Sequence, residues 1–254
     1  MSSISAVGGY SAYSAYSTIT RGGSIGKAAE DAAGLAIQEK TKSQVGALDA
    51  GSENLKSAKS ALNIEDGAMG GIQDYLQSIR ELSVKAKNGT LNDSDRQSIQ
   101  DQIEQYKQGI NDIAGNTTYN EKSLLDNEGL LEVTSDGSGS AESVTTYDSA
   151  TKALGIDDYD VTKDFDLGAI DKALEKVQTQ RSNAGSETNA VDYALSYNSH
   201  AALELNGYQM DKEEDNAMSA LQEVKSKQAL DAYQSMLQKQ QMEDKEQKTL
   251  SMFM

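Results

Sequence analysis

Cysteine, proline and tryptophan are absent from the 254 residues, and phenylalanine occurs only twice. Without cysteine the chain can form no disulfide, no thiolate metal site and no sulfur nucleophile. Without proline, no helix is stopped by a ring that clashes with the preceding turn. Basic residues are also scarce, 23 against 40 acidic ones, for a formal charge of -17. That balance favours solubility and argues against nucleic acid or an anionic membrane as partner. No stretch approaches the ~18 consecutive apolar residues of a membrane-spanning helix. The first basic residue is Arg21, so a cleaved secretory signal with a basic start is not expected.

Catalytic groups are equally thin. The single histidine, His200, stands beside Ala201 and Ala202 in a helical pattern, with no second ligand or nucleophile near it in sequence. No zinc-type, phosphate-loop or nucleophile-elbow motif occurs. The acidic loop Asp157–Asp160 lacks the glycine and distal glutamate of a calcium loop. No catalytic residue, cofactor or metal is expected.

What the chain does have is periodicity. Between Thr41 and Ala86 every seventh residue is apolar: Leu48, Leu55, Leu62, Met69 and Leu76. An offset column supplies Ala58, Ile72 and Ile79, closed by Leu82 and Ala86. This is the seam of one long helix in a coiled coil. Asn88-Gly89 marks its stop, and Asp93 or Ser94 offers the cap of the next helix, whose stripe is Ile99, Ile103, Tyr106, Ile110 and Ile113. The short link makes the two an antiparallel hairpin. A third stripe runs through Ile170, Leu174, Val177, Val191, Leu195, Ala202 and Leu205, with a break or bend expected at Gly207. Between them, Leu130–Thr134 and Val144–Tyr147 read as a small β-hairpin around Ser135–Ser140. With 37% hydrophobic residues and a mean hydropathy of -0.61, the chain fills thin seams rather than a thick core. The fold class is therefore mostly α: an elongated antiparallel helical bundle or coiled coil with a small β-hairpin region at one end. Both ends are sparse in apolar residues and marginal as isolated helices.

Several motifs carry a family resemblance. They are Ala29-Glu-Asp-Ala-Ala-Gly-Leu-Ala-Ile37, Ile79-Arg-Glu-Leu-Ser-Val84 with Asn88-Gly-Thr90 and Asp95–Gln100, Ile110–Ile113 with Thr118–Asn120 and Leu124-Leu125, Ala169–Leu174 with Gln180–Ser182, and the end Leu250–Phe253. In this order they resemble bacterial flagellin, in a short form with a minimal variable region and a shortened segment ahead of the first motif. The resemblance implies an N-terminal inner-tube segment and spoke (1–40), the N-terminal part of a helical rod domain (41–125), a short variable β-rich insertion (126–165), a C-terminal rod helix (166–207) and a C-terminal inner-tube helix (208–254).

It also implies a function. The family's subunits polymerise into the extracellular filament of the flagellum for swimming, exported without a cleaved signal peptide. The implied partners are other copies of the chain, the flagellar export apparatus, an export chaperone on the C-terminal helix, and the filament cap and junction proteins. Assembly would bury Leu221, Leu237 and the Tyr10–Tyr16 stripe. A Toll-like innate immune receptor recognises the family around the Arg-Glu-Leu block, which places Arg80, Glu81, Leu82 and Val84 as subunit or receptor contacts. Ser78 stands where many recognised members carry arginine, and Gln102 where they carry glutamate, so weakened recognition is expected. The alternatives are a hook–filament junction protein, or a non-polymerising secreted helical protein acting through its surface.

Overall fold

A computed structural model describes residues 13–29 and 31–253. Tyr10 of the tyrosine stripe lies outside the described residues, as do the side chains of Leu250–Phe253. The chain divides into two compact units, one of Met1–Val45 with Ala202–Met254, the other of Gly46–Ala201. The elements are α1 (helical over 13–20), α2 (Ala32–Ala86), α3 (Asp93–Asn116), β1 (Thr118–Tyr119), β2 (Lys122–Ser123), β3 (Asp126–Thr134), β4 (Ala141–Asp148) and α4 (Gly168–Phe253).

In the unit of residues 46–201, the seven-residue repeat of α2 becomes its core. Leu55, Leu62, Met69, Leu76, Ile72 and Ile79 are fully shielded from solvent, each worth about 1.5–3 kcal/mol. Leu48, at the start of the same column, is only half-buried. Ile99, Ile103 and Ile110 of α3 and Ile170, Val177 and Val191 of α4 complete the cluster. Both helices run antiparallel to α2. Tyr75 stacks on Tyr106 with ring centres 5.6 Å apart, and a Cβ on Gly71 would lie 3.3 Å from Ile113. Against α4 the register is marked by three ion pairs: Arg80–Asp171 at 2.6 Å, Arg181–Asp66 at 2.8 Å and Lys59–Asp192 at 2.6 Å. Half-exposed pairs of this kind contribute at most about 1 kcal/mol each, so they fix alignment more than stability.

The strands form two antiparallel pairs. β1 and β2 meet across the two-residue turn Asn120-Glu121, both with positive φ (48° and 64°), as a type I′ turn requires. β3 and β4 pair Leu131 with Val144 and Val133 with Glu142. Their connecting turn is tied by Asp136, whose Oδ1 accepts from the Ser138 backbone and hydroxyl and from the Ser140 backbone. Those bonds hold the Asp136 carboxyl down to about 2. β structure ends at Asp148, and 149–167 is irregular. This segment nonetheless buries Leu154, Ile156, Tyr159 and Val161, because Gln100 accepts from the Val161 amide at 2.9 Å and donates to the Tyr159 carbonyl.

In the unit of 1–45 and 202–254, the described core is small: Ala15, Ala220 and Val224, with Ile19 against them. α1 ends in Gly22 and Gly23 at φ +68° and +91°, and the Gly23 amide bonds back to the Thr18 carbonyl. A Cβ on Gly23 would sit 1.7 Å from the Glu213 carbonyl oxygen, so only glycine lets this turn lie on α4.

Three expectations are corrected. The long helix begins at Ala32, not Thr41, because Asp31 caps it by accepting from the amides of Ala33 and Gly34. The cap of α3 is Asn92 rather than Asp93 or Ser94: Asn92 and Asp95 exchange side chain to backbone bonds in a reciprocal capping box. Gly207 does not break α4, which is continuous through it. One interior glycine costs about 1 kcal/mol, less than the propagation of its neighbours returns.

Candidate functional site

Among the described residues, no group of three His, Cys, Asp or Glu side chains is arranged to hold a metal ion. No described helix is long and apolar enough to cross a membrane. His200 is exposed on α4. The candidate sites are surfaces.

The first is the C-terminal end of α2. Ile79, Ser83 and Ala86 face the core, with the Ser83 hydroxyl donating back to the Ile79 carbonyl at 2.7 Å. Helical spacing then sends Arg80, Glu81 and Val84 to the outside, all exposed, while Leu82 is half-buried against the core. The Arg80 guanidinium donates from Nε to Asp171 Oδ1 at 2.6 Å, and that carboxylate raises its pKa further. Ser78 turns its hydroxyl onto the Asp74 carbonyl of its own helix. Gln102 is exposed on α3. The block thus presents one cation, one anion and a valine on a rigid helical face.

The second surface is on the other unit. Along α4, Leu203, Met210, Met218, Leu230, Tyr233, Met236 and Met242 are each more than half exposed. Leu221 and Leu237 are 39% and 38% exposed, and Tyr13 and Tyr16 of α1 point out as well. Such a density of large apolar side chains beside a three-residue core is the mark of an unpartnered surface. Behind it the joint is specific: the Asn216 amide donates to the Gly23 carbonyl, and Gln38 bridges the Ser24 hydroxyl and the Ile25 amide.

Comparison with known proteins gives the family. The family model for the bacterial flagellin N-terminal helical region matches residues 11–129. The flagellin of Bacillus subtilis (strain 168) is 30% identical over 211 residues, covering 67% of this chain and 69% of that protein. The chain belongs to the bacterial flagellin family. The flagellin of Salmonella berta is 33% identical over 188 residues, which is 70% of this flagellin but 35% of its relative, so the chain spans about a third of that relative's length. Among solved structures, Bacillus cereus flagellin aligns with a TM-score of 0.51 at 30% identity over 57% of this chain and 88% of that one. A putative flagellar hook-associated protein of Vibrio parahaemolyticus aligns with a TM-score of 0.64 over 73% of this chain and all of its own. At 16% identity it shows a shared fold alone.

Sequence reasoning passed over three features of this flagellin. The ion-pair ladder between α2 and α4 was hidden among charges that read as solvated faces. Asn198, buried on α4, donates to the Ser135 carbonyl at 2.7 Å and links the hairpin turn to the helices, with no local signal at all. Glu65 did leave a signal: the offset column Ala58, Ile72, Ile79 skips a residue, and the residue skipped is a glutamate.

Proposed function

We propose that this chain is a structural subunit that polymerises into the bacterial flagellar filament, with no catalytic role. The observation that carries the reading is the number of exposed large apolar residues on α4 beyond residue 202, beside so small a core. A helix with that exposure stays marginal until neighbouring copies cover it. Other copies of the chain are the natural occupants, since α1 exposes Tyr13 and Tyr16 while α4 exposes tyrosines, leucines and methionines. The same exposure suits an export chaperone that shields the C-terminal helix before passage through the flagellar export apparatus. Cap and junction proteins would then meet the growing filament outside the cell. A junction protein would share the helices but would not form long homopolymers.

Negative-stain microscopy of concentrated full-length protein tests this. Wild type should give long filaments. Leu230→Asp with Tyr233→Asp should give none, while the thermal transition of the 46–201 unit stays where it was. Filaments from the double variant, or none from wild type, would count against the proposal.

The end of α2 supports a finer reading, contact with a host Toll-like flagellin receptor through Arg80, Glu81 and Val84, underpinned by Leu82. Because Arg80 is shared with Asp171 and Ser78 brings no cation, activation should be detectable but weaker than that of a strong flagellin. A reporter-cell dose response settles the point, and equal potency would refute it. Ser78→Arg should raise activation several-fold, the added charge being worth about 1 kcal/mol at a rim position.

A further inference from the structure

Glu65 occupies a place built for an apolar side chain. The offset column of α2 reads Ala58, Glu65, Ile72, Ile79 and Ala86, and all five are buried. The Glu65 side chain is fully shielded, and no protein group donates to either of its carboxylate oxygens. The ionisable groups whose fields reach it are Glu187 on α4, Asp66 on α2 and the Tyr147 phenol on β4. The cation on that side, Arg181, is already bound to Asp66 through Nε and Nη2 (2.8 and 3.3 Å) and to Gln73 through Nη1 (2.8 Å). Burial first, then the negative charges of Glu187 and Asp66, push the Glu65 carboxyl up to about 8.

Glu187 is also one of the groups that fasten the hairpin, and it holds the β4 side, while Asn54 and Asn198 hold Thr134 and Ser135 at the turn. Its Oε2 accepts from the Thr145 amide at 3.0 Å, and its Oε1 from the Thr145 hydroxyl. A charge arriving on Glu65 repels the Glu187 carboxylate in a medium that screens poorly. Glu65 is walled in and cannot retreat. Glu187 can turn outward, and in doing so it gives up both bonds to β4.

We propose that Glu65 is a proton-operated latch: neutral, it lets Glu187 hold the β3–β4 hairpin on the helices, and ionised, it releases that hairpin. The sign follows from linkage. A carboxyl raised in the folded state binds more protons there than when unfolded. Its contribution is therefore complete below the ordinary value of 4.5 and is lost as pH rises through about 8. Release belongs to mildly alkaline conditions, and the latch operates in a single chain whether or not that chain polymerises.

The test is hydrogen exchange by mass spectrometry on the dilute full-length chain between pH 6 and 9.5, corrected for intrinsic exchange. In wild type, amides of 126–148 should lose protection about tenfold or more, with a smaller loss in α3. In Glu65→Gln the hairpin should keep its protection within about twofold across the same range. A parallel loss in both proteins overturns the proposal. A second measurement is independent of how well the variant packs: the side-chain carboxyl carbon of Glu65 in wild type, identified by its absence from Glu65→Gln or Glu65→Ala spectra, should titrate near 8. A midpoint in the ordinary glutamate range overturns it too.

Discussion

Leu62→Asp should abolish the cooperative thermal transition of the 46–201 unit. Leu62 sits mid-column in α2, fully shielded, among Leu55, Ala58 and Met69. Removing a buried leucine side chain alone costs about 2–5 kcal/mol through lost transfer energy and the cavity left behind. A carboxylate in that position has no cation to pair with and adds several kcal/mol more, or must take up a proton. A domain of this size is stable by about 5–15 kcal/mol, so the sum removes most or all of it. Two comparisons sharpen the expectation. Leu48→Asp, in the same heptad column but half-buried, should cost only about 1 kcal/mol, because its carboxylate can reach water. Leu62→Met, which keeps the volume, should cost less than about 1.5 kcal/mol. Circular dichroism melts of the three variants check the series, and an unchanged Leu62→Asp curve refutes the role given to that seam.

That contrast between Leu62 and Leu48 shows what a sequence can reveal of this molecule. A strict seven-residue repeat names the residues of one face, because helix geometry converts spacing into direction. It does not say how far along the face a partner extends, and Leu48 lies where the cover thins. The start of α2 was missed by nine residues for a related reason: the run from Ala32 to Lys40 has no seven-residue stripe and contains Gly34, so only the Asp31 cap marks where the helix begins. Asn92 was missed as the cap because Asp93 and Ser94 are equally good capping residues, and only the reciprocal bond with Asp95 decides among them. Gly207 misled in the other direction, since a propensity of about 1 kcal/mol is too weak to interrupt a helix of 86 residues. At the end of α2 the motif found Arg80–Val84, but only the helical register separates the exposed Arg80, Glu81 and Val84 from the half-buried Leu82. The segment 149–167 carried no periodicity because its core residues are held by side chain to backbone bonds from α3, contacts that no local pattern encodes.

Gly51→Val should cost about 3–4 kcal/mol, the second-largest loss expected, and the damage should be concentrated in the hairpin turn. Gly51 lies in the middle of α2, where propensity alone favours any replacement: alanine in place of an interior glycine usually gains up to about 1 kcal/mol. Here that gain is overruled by what approaches the helix. A Cβ at residue 51 would lie 2.0 Å from the Ser135 carbonyl oxygen, 2.5 Å from its carbon and 3.1 Å from the Asp136 nitrogen. All three are backbone atoms, so no rotamer can relieve the contact and the whole turn must move. The turn resists moving, because Asp136 fixes its shape and a Cβ on Gly137 would lie 2.6 Å from Ala47 one helical turn away. Overpacking of this kind costs about 1–3 kcal/mol. Displacement also breaks the bond from Asn198 to the Ser135 carbonyl, leaving the buried amide only its long 3.5 Å bond to the Leu48 carbonyl, for about 1–3 kcal/mol more. Gly51→Ala should therefore destabilise despite its better helix propensity, and valine should do so more strongly. The check is the ordering of melting temperatures, glycine above alanine above valine, together with loss of amide protection at 135–140. A Gly51→Ala variant that melts above wild type would show that the turn yields and that the close approach constrains nothing.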